Sequence, residues 1–214
     1  TLQRKIKHWK ATKGPGKEVY FPQKHYPGAL GESDFTHMGA LGITIKGEPF
    51  NHLFYHFVLT YSNWETGNIC FSESFERLSE GLQKALWELG GAPQNHRSDR
   101  LSAAINKDCS REQFTDRYSA LLRHYGITGM ATNANKANEN GDVEQSHNRF
   151  KNGMDQALLM RGSRDFEDRN EYELFAADFM NKRNTGRKNR FKEELAHLNK
   201  LPASKMDDKK RISL

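Results

Sequence analysis

The run HLFYHFVLTYS, residues 52–62, limits the fold more than any other stretch of the chain. Laid out as a strand, it sends Leu53, Tyr55, Phe57, Leu59 and Tyr61 to one side and Phe54, His56, Val58 and Thr60 to the other. Successive side chains of a strand alternate in direction, and here both directions are largely apolar. Such a strand is central and covered on both faces, so the chain must place one layer above it and one below.

The neighbouring sequence provides the material. Three more strand candidates surround this run: GESDFTHM (31–38), LGITIKG (41–47) and GNICFS (67–72). Helical spacing then takes over. In residues 72–91, Phe75, Leu78, Leu82, Ala85, Leu86 and Leu89 recur at steps of three and four, Ser72 or Ser74 can cap the start, and Gly90-Gly91 stops the helix. The segment PQNHRSD leads to Asp99, and SREQ at 110–113 has capping-box spacing before a helix that turns Phe114, Tyr118, Leu121, Leu122 and Tyr125 inward. ITGMAT is a short strand candidate, and NANKANENG reads as a polar loop. Two more helices are expected, from about 141 to 161 with Val143, Phe150, Met154, Ala157 and Leu158 inward, and from about 167 to 184 with Tyr172, Phe175, Ala176 and Phe179 inward. An opening meander followed by alternation predicts an α/β domain, a mixed sheet with helices on both faces. The early strands lack intervening helices, which argues against a βα barrel, and no GxGxxG or GxxxxGK[ST] phosphate loop is present.

Charge narrows the partners. The 214 residues carry a net charge of +6 and a pI near 9.2, which favours nucleic acid or an anionic membrane surface. No apolar run approaches the ~20 residues of a membrane span, and no secretory signal opens the chain. Cys70 and Cys109 form no CxxC pair, so no disulfide framework or thiolate metal site is signalled, and a reduced, cytoplasmic protein is expected. The start at Thr1 and the Pro- and Lys-containing end suggest a piece of a longer protein. The expected organisation is a basic connector (1–28), a core (29–163), a helical basic extension (164–200) and a linker (201–214) towards a further domain.

Asp34 interrupts the first strand candidate, where an aspartate is unusual and its charge costly unless neutralised. Asp99 ends the short strand before RLSAAI, and Glu144 falls in the first turn of a helix. Three converging carboxylates suit a hard divalent cation. Each also has an ordinary structural explanation: a hydrogen-bonded strand aspartate, a turn or cap residue, and a first-turn acid favoured by the helix dipole. His52 and His56 sit four apart in a strand pattern and the other histidines are scattered, with no HExxH or CxxC…HxxxH spacing, so zinc is not indicated. No GxSxG elbow supports a serine nucleophile.

The wording of LGESDFTHM, of GEPFNHLFYHFVLTYSNWETGNICFSESFERLSEGLQKALWELGGAPQNHRSDRLSAAI and of NENGDVEQSHNRFKNGMDQALLMRGSRDF resembles the catalytic core of IstA-type transposases, over roughly residues 18–205. These DNA-cutting and DNA-joining proteins of insertion sequences are similar to retroviral-type integrases. The resemblance implies an RNase H-like fold and an Asp-Asp-Glu triad at Asp34 in SDFTH, Asp99 in HRSDR and Glu144 in GDVEQ. It implies two Mg²⁺ (or Mn²⁺) ions on that triad, 3′-end cleavage followed by strand transfer, a homo-oligomer that pairs two DNA ends, and an IstB-like AAA+ ATPase partner. One departure is Arg100, where the family usually has Asn after the second Asp; Arg cannot accept a hydrogen bond, but it can hold a phosphate. In integrases the residues four and seven after the catalytic Glu face DNA, which matches Asn148 and Lys151. On helical spacing Asn148, Lys151 and Asp155 continue the Glu144 stripe, roughly opposite the apolar one.

The basic stretch 181–192 holds Lys182, Arg183, Arg187, Lys188, Arg190 and Lys192 and no acid, so it is expected to meet DNA phosphates. Two other readings compete: a nuclease of the same fold that cuts without joining, and a non-catalytic DNA-binding or assembly module from a decayed element, which only Arg100 favours.

Overall fold

A computed structural model describes residues 2–5, 9, 24–98, 111–130 and 137–206, apart from the side chains of 111–115 and 137–147. Its strands are β1 (Leu30–His37), β2 (Thr44–Ile45), β3 (Glu48–Pro49), β4 (Leu53–Leu59), β5 (Glu65–Cys70), β6 (Asn95–Ser98), β7 (Thr128–Met130) and β8 (Asp165–Phe166). The longer helices are α1 (Phe75–Leu89), α2 (Arg111–His124), α3 (Ala137–Arg161), α4 (Arg169–Thr185) and α5 (Lys188–Leu195).

The main sheet has the order β5-β4-β1-β6-β7. Strands β1, β4 and β5 form an antiparallel meander, while β6 and β7 add in parallel on the other side of β1. This is the mixed α/β arrangement, with helices on both faces, that the sequence and its RNase H-like resemblance imply. Strand β4 is buried at every position, as its two apolar faces require. The middle of the sheet, however, belongs to β1, the strand that carries Asp34.

Alternation on these strands divides the core in two. On one face Phe35, Leu53, Tyr55, Phe57 and Leu59 pack with α1 (Leu78, Leu82, Leu86) and α2 (Tyr118, Leu121, Leu122). Helix α1 starts at Ser74, whose hydroxyl accepts the Arg77 N–H, and ends at Gly90 in the left-handed region, φ 79°. Its approach to the sheet is close: a Cβ on Gly81 would lie 2.4 Å from the Tyr55 ring. On the opposite face Phe54 and Ile69 pack with Phe150, Met154 and Leu158 of α3 and with Tyr172, Ala176 and Met180 of α4. Buried Phe150, Met154 and Leu158 follow one another at four-residue steps, the stripe expected for this helix.

Three local expectations differ from the structure. Helix α3 begins at Ala137, inside the stretch expected as a polar loop, so Glu144 stands eight residues in and not in the first turn. The LGITIKG stretch does not join the main sheet. Gly39–Leu41 makes a 3-10 turn, and Thr44–Ile45 pairs with Glu48–Pro49 and Asp165–Phe166 in a separate three-stranded sheet. A two-residue strand paired with a segment about 120 positions away leaves no periodic signal in its own sequence. The last helical part, read as one helix and a basic tail, is two helices, with α5 occupying much of the basic stretch. The expected division at residue 163 falls between α3 and β8, and α4 shares its apolar cluster with α3 and the sheet across it. The bridge between Ala92 and Asn199 ties the end of this region back to the start of β6.

Candidate active site

Asp34 sits on β1, half-buried, and one of its oxygens accepts the Phe35 N–H at 2.7 Å. It lies opposite His56 of β4. Residues directly opposite in an antiparallel pair project to the same face, so Asp34 shares the face of His56. The Phe150 ring of α3 stacks on that face, 4.6 Å from the His56 ring and 5.1 Å from Phe54. Asp34 therefore belongs to the α3 face of the sheet. His37, with opposite parity, is exposed and lies 3.8 Å from Glu73.

On its other side β1 runs parallel to β6, in the register Leu30↔Asn95 to Ser33↔Ser98. That ladder ends one residue before Asp34. Ligands of open α/β sheets usually bind outside the carboxyl ends of the parallel strands, and this is the end at which β1 and β6 part. Asp99 and Arg100 follow Ser98 directly and lie outside the described residues. Glu144 lies on the backbone of α3; its side chain is outside the described set. Carboxylate oxygens are the donors a hard divalent cation takes, and half-buried Asp34 on a central strand suits that role. Among the described residues no three His, Cys, Asp or Glu side chains come together.

Beside Asp34 is a buried ion pair that leaves no local signal in the sequence. Glu32, two residues earlier on the same face, lies opposite Arg97 of β6 and accepts a hydrogen bond from its guanidinium. Both are over 90% buried. The α3 face thus carries Glu32, Asp34 and Arg97 side by side.

A second charged group lies further along the same face, at β5. Glu65 is 1% exposed. It binds His56 Nε2 at 2.9 Å, the Arg183 guanidinium, and Arg187 at 3.0 Å. Burial alone would raise its pKa, but the His56 hydrogen bond and charge, with Arg183 and Arg187, outweigh burial and bring it to about 2. Asn184 completes the group: its Oδ1 accepts the Glu65 N–H at 3.0 Å and its Nδ2 donates to the Glu65 carbonyl at 2.7 Å.

The remaining expected DNA contacts fall into two sets. Asn148 is exposed and Lys151 half-buried on α3; Asp155, expected on the same solvent stripe, is half-buried and pairs with Arg164 at 2.6 Å. In the basic stretch Arg183 and Arg187 turn inward to Glu65. Lys182 is exposed and pairs with Asp178 at 2.7 Å, Arg190 lies 4.4 Å over the Tyr61 ring, and Lys188 and Lys192 are exposed. Arg187, Phe191 and Glu194 recur at helical spacing, which marks them as one helix face without revealing Glu65 as the partner.

No protein-family model matches the chain. A Sinorhizobium fredii protein named uncharacterized protein y4jA/y4nE/y4sE is 46% identical over 211 residues, 97% of this chain; the chain spans 42% of that relative's length. Among solved structures, the catalytic core domain of BIV integrase overlaps 72% of this chain and 81% of its own, with a TM-score of 0.49 and 15% identity. The HTLV-2 integrase catalytic core domain in complex with magnesium, in its trimeric form, overlaps 75% of this chain and 84% of its own, with a TM-score of 0.45 and 19% identity. Among the described residues no helix is long and apolar enough to cross a membrane.

Proposed function

We propose that this chain is the catalytic core of an IstA-type transposase, a polynucleotidyl transferase that cuts the 3′ ends of an insertion sequence and joins them to target DNA. The observation that carries this reading is the position of Asp34. It stands on the middle strand, on the face covered by the helix that bears Glu144, one residue beyond the Ser33↔Ser98 pair that precedes Asp99.

In this reading Asp34, Asp99 and Glu144 hold a pair of Mg²⁺ or Mn²⁺ ions, which when bound supply Lewis-acid activation of the attacking oxygen and stabilisation of the leaving one. The protein's own share is positioning. Strand β1 fixes Asp34 through its pairing with His56 on one side and through the β6 ladder that ends at Ser33, the residue before it, on the other. Lys151 and Asn148, seven and four residues after Glu144 on α3, hold phosphates along the scissile strand, and Arg100 holds another. The exposed cations of the basic stretch meet the DNA backbone further out. A multimer pairs the two ends, an IstB-like AAA+ ATPase is the partner, and the setting is the bacterial cytoplasm, close to the nucleoid.

The test is a cleavage and strand-transfer assay on the element's end sequences with Mg²⁺ or Mn²⁺. Asp34→Asn is expected to remove both activities while keeping fold and DNA affinity, because the amide keeps the shape and loses the charge that holds the metal. Activity of that variant at saturating Mg²⁺ overturns the triad. Cleavage without joining of pre-cut ends identifies a nuclease instead, and DNA binding without any metal-dependent cleavage identifies an assembly module.

A further inference from the structure

Helix α5 has two unlike sides. Its inner side is fixed at four points. Arg187, at the helix start, reaches Glu65 at 3.0 Å. The Phe191 ring stacks on Trp64, with centroids 5.4 Å apart and planes 10° apart. Buried Glu194 accepts the Gly28 N–H at 3.2 Å and the Ser62 N–H at 3.1 Å. Glu193 accepts the Tyr61 hydroxyl, and Arg190 covers that ring. The outer side carries Lys188 and Lys192, both exposed and one helical turn apart.

We propose that Glu65 divides the basic stretch in function. Arg183 and Arg187 are anchors, both turned inward onto the one Glu65 carboxylate and so withheld from phosphate, while Lys188 and Lys192 form a ridge that docks on the sugar–phosphate backbone of duplex DNA, with exposed Lys182 of α4 as a further cation. This rests on the reading of the chain as a DNA-acting enzyme and refines it. The occupant is chosen by charge: the net charge is +6, the ridge lysines lie on one helical face, and the ridge lacks an aromatic side chain for base stacking. Both guanidinium groups bind the one Glu65 carboxylate and are largely buried, so their donors are engaged inward rather than presented to an incoming phosphate. The ridge lysines carry no such buried partner; the Asp178 bound to Lys182 is a surface pair, screened and easily exchanged.

The experiment uses the intact chain, a random-sequence DNA duplex, and two double variants, with two readouts: the dependence of log affinity on log salt, and thermal melting. Lys188→Gln/Lys192→Gln is expected to lower the salt slope by about 2, at about 0.9 per phosphate lost, with the melting temperature unchanged. Arg183→Gln/Arg187→Gln is expected to leave the slope as it is and to lower the melting temperature by about 10 °C, because Glu65 loses its partners. An equal fall in slope for both variants overturns the division, as does an arginine variant that melts like the unmodified chain. Should the arginine variant fail to fold, the lysine variant decides alone: binding with an unchanged slope removes the ridge. No DNA binding by the unmodified chain is a separate result, which overturns the DNA-acting reading and the ridge together.

Discussion

The two faces of the main sheet are built from the same five strands and hold unlike contents. The α1 and α2 face is packed with Phe35, Leu53, Tyr55, Phe57 and Leu59 against leucines, and His96, buried there, is kept neutral: burial pushes its pKa down to about 3. The α3 and α4 face has aromatic packing too, but it also buries Glu32 with Arg97, and His56 and Glu65 with Arg183 and Arg187, and it carries Asp34. Burying charge is costly unless each ion has a partner. Among the described residues the buried ion pairs fall on one face, with buried Glu194 apart from them against Gly28 and Ser62, and this separates the work of the two. The apolar face supplies stability; the charged face holds rigid positions for carboxylates and guanidinium groups near Asp34 and at the sheet edge.

Acid is expected to break the apolar face first. His96 has a folded pKa of about 3 against 6.5 unfolded, so between those values the unfolded chain binds the extra proton. Stability therefore falls as pH drops from about 6.5 to about 3, by about 5 kcal/mol in total. Glu65, at about 2 against 4.5, contributes stability above 4.5 that is lost as pH falls towards 2. Urea titrations from pH 7 to pH 4 should show the loss, and His96→Gln should flatten the curve above pH 4.5. A His96→Gln curve as steep as that of the unmodified chain removes this account.

On the charged face, Arg97→Leu should cost about 3–5 kcal/mol, since it strands Glu32 in the interior, whereas Glu32→Leu/Arg97→Met together should stay within about 1 kcal/mol or gain stability. If the double variant is as unstable as the single one, the pair contributes more than mutual neutralisation. Denaturant midpoints suffice to measure both.

A smaller effect sharpens the apolar side. Gly→Ala inside a helix ordinarily stabilises it by about 1 kcal/mol. In α1 the sign should reverse, because the new methyl group meets the Tyr55 ring, and overpacking of this kind costs about 1–3 kcal/mol. A higher melting temperature for Gly81→Ala would mean that the ring moves freely. The least effect is expected at the start of α4, where Asp168 accepts the Glu171 N–H at 2.8 Å; Asp168→Ala should cost about 1 kcal/mol by thermal melting.

Legibility differed between the faces for physical reasons. Strand β4, helix α1 and the Phe150 stripe were readable because apolar periodicity is a local property of the chain. Asp34 stood out because a strand aspartate breaks such a pattern. Arg97 with Glu32, and Arg183 and Arg187 with Glu65, were not readable, since each pair joins residues 65 or more positions apart and an arginine in sequence looks like any surface cation. Asp99 and Arg100 lie outside the described residues, and Glu144 is described only in its backbone; of the expected triad the structure describes the Asp34 side chain and the strand register beside it.

Asn184 has one more implication. Strand β5 ends the sheet, and the Asn184 side chain meets the Glu65 N–H and C=O just as the backbone of an added strand would. One amide thus acts as a stopper on a surface that would otherwise recruit extended segments from other molecules. At high protein concentration, losing that stopper would open the sheet edge to fibre-like stacking of one copy on another.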